Sequence, residues 1–462
     1  MGSEKQYTDL YAACRTDICR GCPDVMNAAR DNAADNFHKS GFPTRKTERY
    51  KYTDVPKLFA PDYGLNIRRL DIPVDPYEAF KCDVPNLSTS LFFIVNDTLC
   101  QRLVPHASLP DGVRIGALRD LPSKNAHSIG TAHNNKTTQF PDFIADYYGR
   151  LARTDEDGVT ALNTMLAQDG LVVFIPDGVK VERPIQVINI LRSNVDMMVN
   201  RRVLIIVGRG AAAQLLFCDH AADDRPFLTT QVVEAYVADN AALELYCLEE
   251  THAKSVKINN VYIEQSAGSH VTHNTVTLHN GITRNRVDVI MTGAGAQCQL
   301  DGCVTADKTQ HVDTNTLIEH SVPHCTSTQL YKYMLSGDAV GAFAGRVLVR
   351  KGAQQSVSDM RCNALCASND ARMYSQPMLE IYADDVKCSH GAATGQLNDA
   401  ALFYMRQRGI ALDEAKTLLE AAFINEVIDD ITLIPLRDRL HLLVEKRLRG
   451  ELANCKGCKL CR

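Results

Sequence analysis

Gly208-Arg-Gly-Ala-Ala-Ala-Gln-Leu-Leu-Phe-Cys218 and Asp239-Asn-Ala-Ala-Leu-Glu-Leu-Tyr-Cys-Leu248 share one pattern, a tight turn followed by a strand. The pattern returns at Ala267-Gly268 before His270–Leu278 and at Gly293-Ala-Gly295 before Ala296–Val304, a spacing of roughly 28 residues. Gly337-Asp338 is a further turn of the same kind. The last three of the four repeats are also preceded by strands, Gln231–Val237, Val256–Glu264 and Arg284–Met291. Polar and apolar residues alternate within them, as in Leu243-Glu-Leu-Tyr246, so one face is expected to be buried and the other polar. Such units, repeated from Leu171 to about Val386 with no helix between strands, predict a solenoid in which each coil buries its face on its neighbours. A β-helix is the natural candidate. A single β-sandwich is the alternative, but the strand region is long for one.

Outside this region the pattern becomes helical. Residues 1–60 read as polar helix, with helical periodicity around Ala28–His38. Residues 61–155 are mixed and rich in Pro and Asp, with a short strand at Ser90–Asn96. Helices are expected at Phe140–Arg153 and Val159–Gln168. Past the strands, Leu397–Arg408 reads as a helix ended by Gly409. Leu412–Ile428 carries a one-sided stripe of Ala415, Leu418, Leu419, Ala422 and Phe423. Leu436–Arg449 is a third helix, with Leu440, Leu443, Val444 and Leu448 on one face. The expected division is an N-terminal helical and mixed domain (1–155), a β-helix core (156–390) and a C-terminal helical domain with a cysteine-rich tail (391–462).

The 462 residues are 45% hydrophobic and 23% charged, the balance of a globular protein with ample core. A net charge of −5 argues against nucleic acid or an anionic membrane as the main partner. Tryptophan is absent and aromatics are few, which argues against a sugar-stacking surface. The first forty residues are polar and charged without an apolar core, and no apolar run approaches the roughly 18–20 residues of a membrane span. The chain therefore reads as cytoplasmic, where its sixteen cysteines stay reduced. Cys218, Cys247, Cys298 and Cys303 lie in apolar strand contexts and read as small core residues.

Three constellations could carry chemistry. Asp384-Asp-Val-Lys-Cys388-Ser-His390-Gly-Ala392 lies where strands give way to helices, and residues two apart in extended chain share a face. A thiolate beside an imidazole can hold iron or zinc, or form a nucleophilic pair. His311, Asp313, His320, His324 and Cys325 are a second group, read chiefly as a polar, solvated strand face. The third comprises the two ends. Cys455, Cys458 and Cys461 form C-x2-C-x2-C, and Cys14, Cys19 and Cys22 form C-x4-C-x2-C. Both spacings occur in cluster-binding loops, so these six are candidate metal ligands. Walker A, strand–GxGxxG–helix, GxSxG and HExxH signatures are all missing from the sequence, so no ATP site is expected on this chain.

The stretch Pro377-Met-Leu-Glu380-Ile-Tyr-Ala-Asp384-Asp385-Val-Lys-Cys388-Ser-His390-Gly391-Ala, followed by Phe403-Tyr404 and Arg408-Gly409-Ile410, resembles the SufB/SufD family. Gly41-Phe-Pro43-Thr44-Arg45-Lys46 with Tyr50-Lys51-Tyr52-Thr53, and Ala161-Leu162-Asn163 with Asp169-Gly170, are similar to the family's earlier motifs. The resemblance covers most of residues 40–450. It favours the SufD-like branch, because SufB-like chains carry a Glu-His-Glu-type sequence where this one has Cys388-Ser-His390-Gly391. It implies a right-handed parallel β-helix, mainly β overall, between an N-terminal domain and a C-terminal helical domain. It implies a non-catalytic scaffold for iron–sulfur cluster assembly, joined to a SufB-like paralogue and to SufC, an ABC-type ATPase that hydrolyses the ATP. The ATPase would dock on helices 397–449, with Phe403, Tyr404, Arg408 and Gly409 at the surface. His390 matches the family histidine that helps build a nascent cluster at the SufB–SufD interface, with Cys388 as its helper. No stably bound cofactor is implied, only a transient cluster there, and the isolated chain could form a homodimer. The cysteine-rich ends depart from the family pattern. Two rivals stand beside this reading: a β-helix carbohydrate-active enzyme, and a homodimeric metal-binding protein using the terminal cysteines.

Overall fold

In a computed structural model of the chain, residues 3–70, 72–74, 88–100, 109–123 and 140–451 are described. Two helices come first, α1 (Glu4–Cys19) and α2 (Asp24–Ser40), then the single turn α3 (Val55–Leu58). Strands β1 (Ser90–Val95), β2 (Thr98–Leu99) and β3 (Arg114–Ala117) follow, and then helix α4 (Gly158–Leu166). Asp157 caps α4 by accepting from the backbone N–H of Thr160.

Two sheets then wind up together. The first holds β4 (Asp169–Ile175), β6 (Met197–Val207), β8 (Phe227–Val237), β10 (Ser255–Gln265), β12 (Ile282–Met291), β14 (His311–His320), β16 (Val340–Val349) and β18 (Arg372–Ile381). The second holds β5 (Ile185–Leu191), β7 (Ala212–Ala221), β9 (Ala242–Glu250), β11 (His270–His279), β13 (Gln297–Ala306), β15 (Thr326–Leu335), β17 (Ser356–Cys366) and β19 (Val386–Gly395). Successive members of each sheet pair in parallel, so the chain alternates between sheets and forms a β-solenoid of about eight turns. This is the solenoid expected from the repeat, and no sandwich. At the first coil β3 closes one sheet antiparallel on β4, and β1 joins the other beside β5. Helices α5 (Asp399–Gln407), α6 (Leu412–Asp429) and α7 (Ile434–Leu448) end the described chain.

The repeated turn residues are explained by the corner they make. Gly210, Asn240, Gly268 and Gly295 all have positive φ, between 55° and 74°, where Gly and Asn are tolerated and most side chains clash. Between the sheets lies one long apolar core, for example Val203, Ile205, Leu215, Leu243, Val261, Val289 and Tyr331.

The outer faces are less polar than strand alternation predicts, because helices cover them. The helices α1, α2 and α4 pack on the first sheet through Met198, Leu228 and Ile258. The second sheet is covered by α6 and α7, whose Ile424, Val427, Leu440 and Val444 meet Leu216, Tyr246, Leu248 and Val276. Every residue of β6 and β8 is buried as a result. The helix expected at Phe140–Arg153 is only a 3-10 turn, Asp142–Tyr147, stopped before Gly149, which has φ +77°. No described helix is long and apolar enough to cross a membrane.

Candidate functional site at the open end of the solenoid

Strand β19 is the outermost member of its sheet, and β18 is the outermost member of the other. Each pairs fully with the strand of the preceding coil. Their outer sides have no neighbouring strand among the described residues, so two rows of backbone N–H and C=O groups face outward. Apolar side chains accompany them. Ile381 is 40% exposed and Tyr382 61% exposed.

Cys388 and His390 lie on β19 with the same strand parity as Val386, which packs on the solenoid core. Cys388 is half-buried against that core and His390 is exposed. In register, Cys388 stands beside Ser358 and His390 beside Met360. Burial pushes the Cys388 thiol up, and the backbone N–H of Ser358 draws it partly back. The sequence-predicted pair is thus brought to one face of a free edge, supplying one sulfur and one nitrogen donor. Two donors are half of a tetrahedral shell. Among the described residues no group of three or more His, Cys, Asp or Glu side chains is placed to hold a metal ion.

Behind Cys388 the lumen is polar. Ser358 Oγ lies 2.8 Å from Ser327 Oγ, and Ser327 Oγ lies 2.9 Å from His320 Nε2. His320 is fully buried, which lowers its pKa to about 4.

This corrects the solvated-face reading of the second constellation. His320 shares strand parity with the core residues Val312 and Ile318 and points inside. Asp313 is buried too, held by Thr53 Oγ1 at 2.5 Å and lying 3.6 Å from Arg284 Nε. His324 sits at a corner with φ +62°, and Cys325 Sγ reaches the Gly293 carbonyl at 3.5 Å. The five residues are dispersed, some in the lumen and some outside it.

Two buried charge networks were missed in the sequence. On the outer face of the first sheet, Arg49 makes a bidentate pair with Asp288. Asp288 also takes Arg286, which reaches Asp157, and Asp157 takes the Tyr50 hydroxyl. The segment from Arg49 to Thr53 is thereby fastened across β12 and β14, and Tyr52 stacks on Tyr374 of β18 at 4.8 Å. In the lumen of the early coils, Asp219 pairs with Lys257 and Arg201. Cys247 Sγ lies 4.0 Å from His273 Nε2 in the same region. Of the isolated cysteines, Cys218, Cys298 and Cys303 are buried as expected.

The C-terminal helices leave a second exposed surface. No residue of α5 is buried, and Phe403 and Tyr404 are 63% and 56% exposed. The Arg408 guanidinium stands 4.5 Å over the Tyr404 ring, and Gly409 turns the chain at φ +84°.

The three N-terminal cysteines are not gathered into one group able to hold a metal ion. Cys14 packs toward the helical core, Cys19 ends α1, and Cys22 bonds to Arg30. Cys455, Cys458 and Cys461 lie outside the described residues.

Comparison with known proteins adds two family models. One described as the SUF system FeS cluster assembly, SufBD core domain, matches residues 189–423. The other, the SufBD protein N-terminal region, matches residues 1–187. An iron–sulfur cluster assembly SufBD family protein of Synechocystis is 26% identical over 450 residues, covering 95% of each chain. The chloroplastic protein ABCI7 of Arabidopsis thaliana is 28% identical over 427 residues, covering 90% of this chain and 84% of its own. The iron–sulfur cluster assembly protein SufD of Escherichia coli is 25% identical over 420 residues, covering 89% and 90%.

Proposed function

The chain belongs to the SufBD family and is a subunit of the SUF system for iron–sulfur cluster assembly, and on that premise we propose that it is its SufD-like, non-catalytic scaffold. The observation that carries this reading is the free outer edge of β18 and β19 with Cys388 and His390 on it. A strand of a SufB-like paralogue can add to such an edge through main-chain hydrogen bonds. That partner would supply the donors this chain lacks, so a cluster would be held transiently between the two and by neither alone. Thiolate and neutral imidazole are both good iron ligands. In the absence of the paralogue, a second copy of the chain could occupy the same edge.

ATP hydrolysis is assigned to a SufC-like ABC ATPase, in keeping with the missing Walker A sequence. Its docking surface is placed on the C-terminal helices at Phe403, Tyr404, Arg408 and Gly409, where aromatic area and a guanidinium lie exposed. The cytoplasm is the compartment that goes with this reading. The chloroplast named for the Arabidopsis relative belongs to that protein.

The test is anaerobic purification of the tagged chain with its partners, carrying either His390 or His390→Ala. The expected result is the same protein complex from both, with several-fold less iron and acid-labile sulfide from the variant. An unchanged iron and sulfide yield would remove His390 from the site.

A further inference from the structure

Cys19-Arg-Gly-Cys22 leaves α1 through a turn of defined geometry. Arg20 has φ −61° and ψ 121°, and Gly21 has φ +67°. The Cys22 N–H donates to the Cys19 carbonyl at 3.2 Å. These are the marks of a type II β-turn. Such a turn holds its first and fourth Cα atoms within about 7 Å, the range in which two cysteines can be bridged. Gly21 suits the turn because its φ of +67° lies in the left-handed region that favours glycine. Arg119 clasps the turn from outside, donating to the Gly21 and Arg20 carbonyls at 3.2 and 3.4 Å. Both cysteines are free and partly exposed.

The surroundings of Cys22 add a second, independent observation. Arg30 is fully buried. Its acceptors are the Met165 carbonyl at 3.0 Å, Asn27 Oδ1 at 3.2 Å and Cys22 Sγ at 3.3 Å. Among the described residues no carboxylate is paired with it. A buried guanidinium is ordinarily paired with an anion, because leaving it unpaired in low dielectric is costly. Here the one acceptor that can take on negative charge is the Cys22 sulfur. The single S–H of Cys22 is shared between the Ile18 and Gln168 carbonyls, which lie 3.3 and 3.4 Å from Sγ, and this ties the turn to the chain just after α4.

We propose that Cys19 and Cys22 are a reversible dithiol–disulfide site, with Arg30 as the positioning residue that favours the reduced form. The oxidant is a low-molecular-weight disulfide such as glutathione disulfide. One thiolate attacks it, one glutathione leaves as thiol, and the second cysteine displaces the other glutathione to close the Cys19–Cys22 bond. The chain loses two electrons and two protons, and two glutathione thiols carry them away. Closing the bond removes the Cys22 S–H from the Ile18 and Gln168 carbonyls and weakens the sulfur as an acceptor for Arg30. The reduced form keeps all of these contacts, so Arg30 raises the reduction potential of the pair. Because the contacts run from α1 and α2 to the chain beside α4, oxidation loosens the layer that covers the first sheet. None of this depends on Cys388 or His390.

The experiment equilibrates the full-length chain anaerobically over a range of glutathione to glutathione disulfide ratios, quenches free thiols, and digests with trypsin. Trypsin cuts after Arg20, so a Cys19–Cys22 disulfide appears as two linked peptides. The expected result is one reversible transition in that linked pair, and Arg30→Met moves its midpoint toward the disulfide by about tenfold in the equilibrium constant, about 30 mV for two electrons. Arg30→Lys, which keeps a cation, should move it less. Cys19→Ser should stop Cys22 at a glutathione adduct. Absence of the linked pair at every ratio would overturn the site, and that result needs no variant to fold. An unmoved midpoint in a folded Arg30→Met would overturn the role of Arg30.

Discussion

The early and the last coils of the solenoid are built from the same strand ladder and have opposite surfaces. Every residue of β6 and β8 is buried, and no residue of β18 or β19 is. Strand length and pairing do not separate them, since each forms a parallel, in-register ladder with the preceding coil. The covering elements separate them. The N-terminal helices lie over the first sheet at Met198, Leu228 and Ile258, while among the described residues no further strand pairs with β18 or β19 and the N-terminal segment reaches β18 through Tyr52 on Tyr374. A solenoid end left with unpaired backbone and exposed Ile381 and Tyr382 is an incomplete surface, because terminal repeats are ordinarily capped by polar sequence. The covered end carries the packing, and the bare end is where the proposed function puts the association and the cluster.

Truncating one core side chain at each end is the strongest way to break that contrast. Ile205 in β6 is fully buried, and Leu379 in β18 is only partly buried against the same core. Ile205→Ala should cost about 2–5 kcal/mol, from lost transfer energy and the cavity left behind. Leu379→Ala should cost under about 1.5 kcal/mol, since its surroundings are open and can collapse. Urea denaturation of the isolated chain reads both. Equal losses would mean that the last coil is as well packed as the first.

The next effect lies in the lumen of the early coils. Although burial raises its pKa, Lys257 and Arg201 overcome that push and hold Asp219 down at about 2. An unfolded aspartate titrates near pH 3.9, so Asp219 binds its proton more readily in the unfolded chain. The pair therefore adds stability that is fully present above about pH 4 and is lost as pH falls toward 2, roughly 2 kcal/mol in all. Denaturation curves between pH 2 and 6 should steepen in that window, and Asp219→Asn should flatten it. A slope unchanged by the substitution would place the acid sensitivity elsewhere, for instance in the network of Asp288 with Arg49 and Arg286.

How much of this was legible in the sequence follows from the range of each interaction. Corners at Asn240 and Gly268 are local, set by φ at one residue, and the repeat displayed them. Cys388 and His390 were legible for the same reason, because strand parity alone puts them on one face. His320 was legible in principle, since Val312 and Ile318 share its parity, but the polar residues His311, Asp313 and Glu319 of the same strand mask that pattern. The alternation Arg284, Arg286, Asp288 looks like a solvated strand face. It is buried because Arg49 and Tyr50 arrive from more than two hundred residues away along the chain, and no local pattern announces that. Cys19 and Cys22 were visible as a spacing, but the turn that joins them and the buried Arg30 beside them needed the fold.

The smallest expected effect on stability is at the site itself. His390 is exposed, and no side-chain hydrogen bond of the described residues involves its ring, so removing the ring opens no cavity and strands no buried partner. His390→Ala should therefore move the unfolding free energy by no more than about 0.5 kcal/mol, while lowering the iron and sulfide recovered with the complex. The two readouts are meant to part company. A residue selected for packing loses both together, as Ile205 should. On the proposed function His390 should lose only the second, because the free energy it contributes would be realised only when another chain brings iron to the edge. If His390→Ala unfolds the chain as readily as a core truncation does, then the bare end is structurally finished after all, and the division of labour along the solenoid fails.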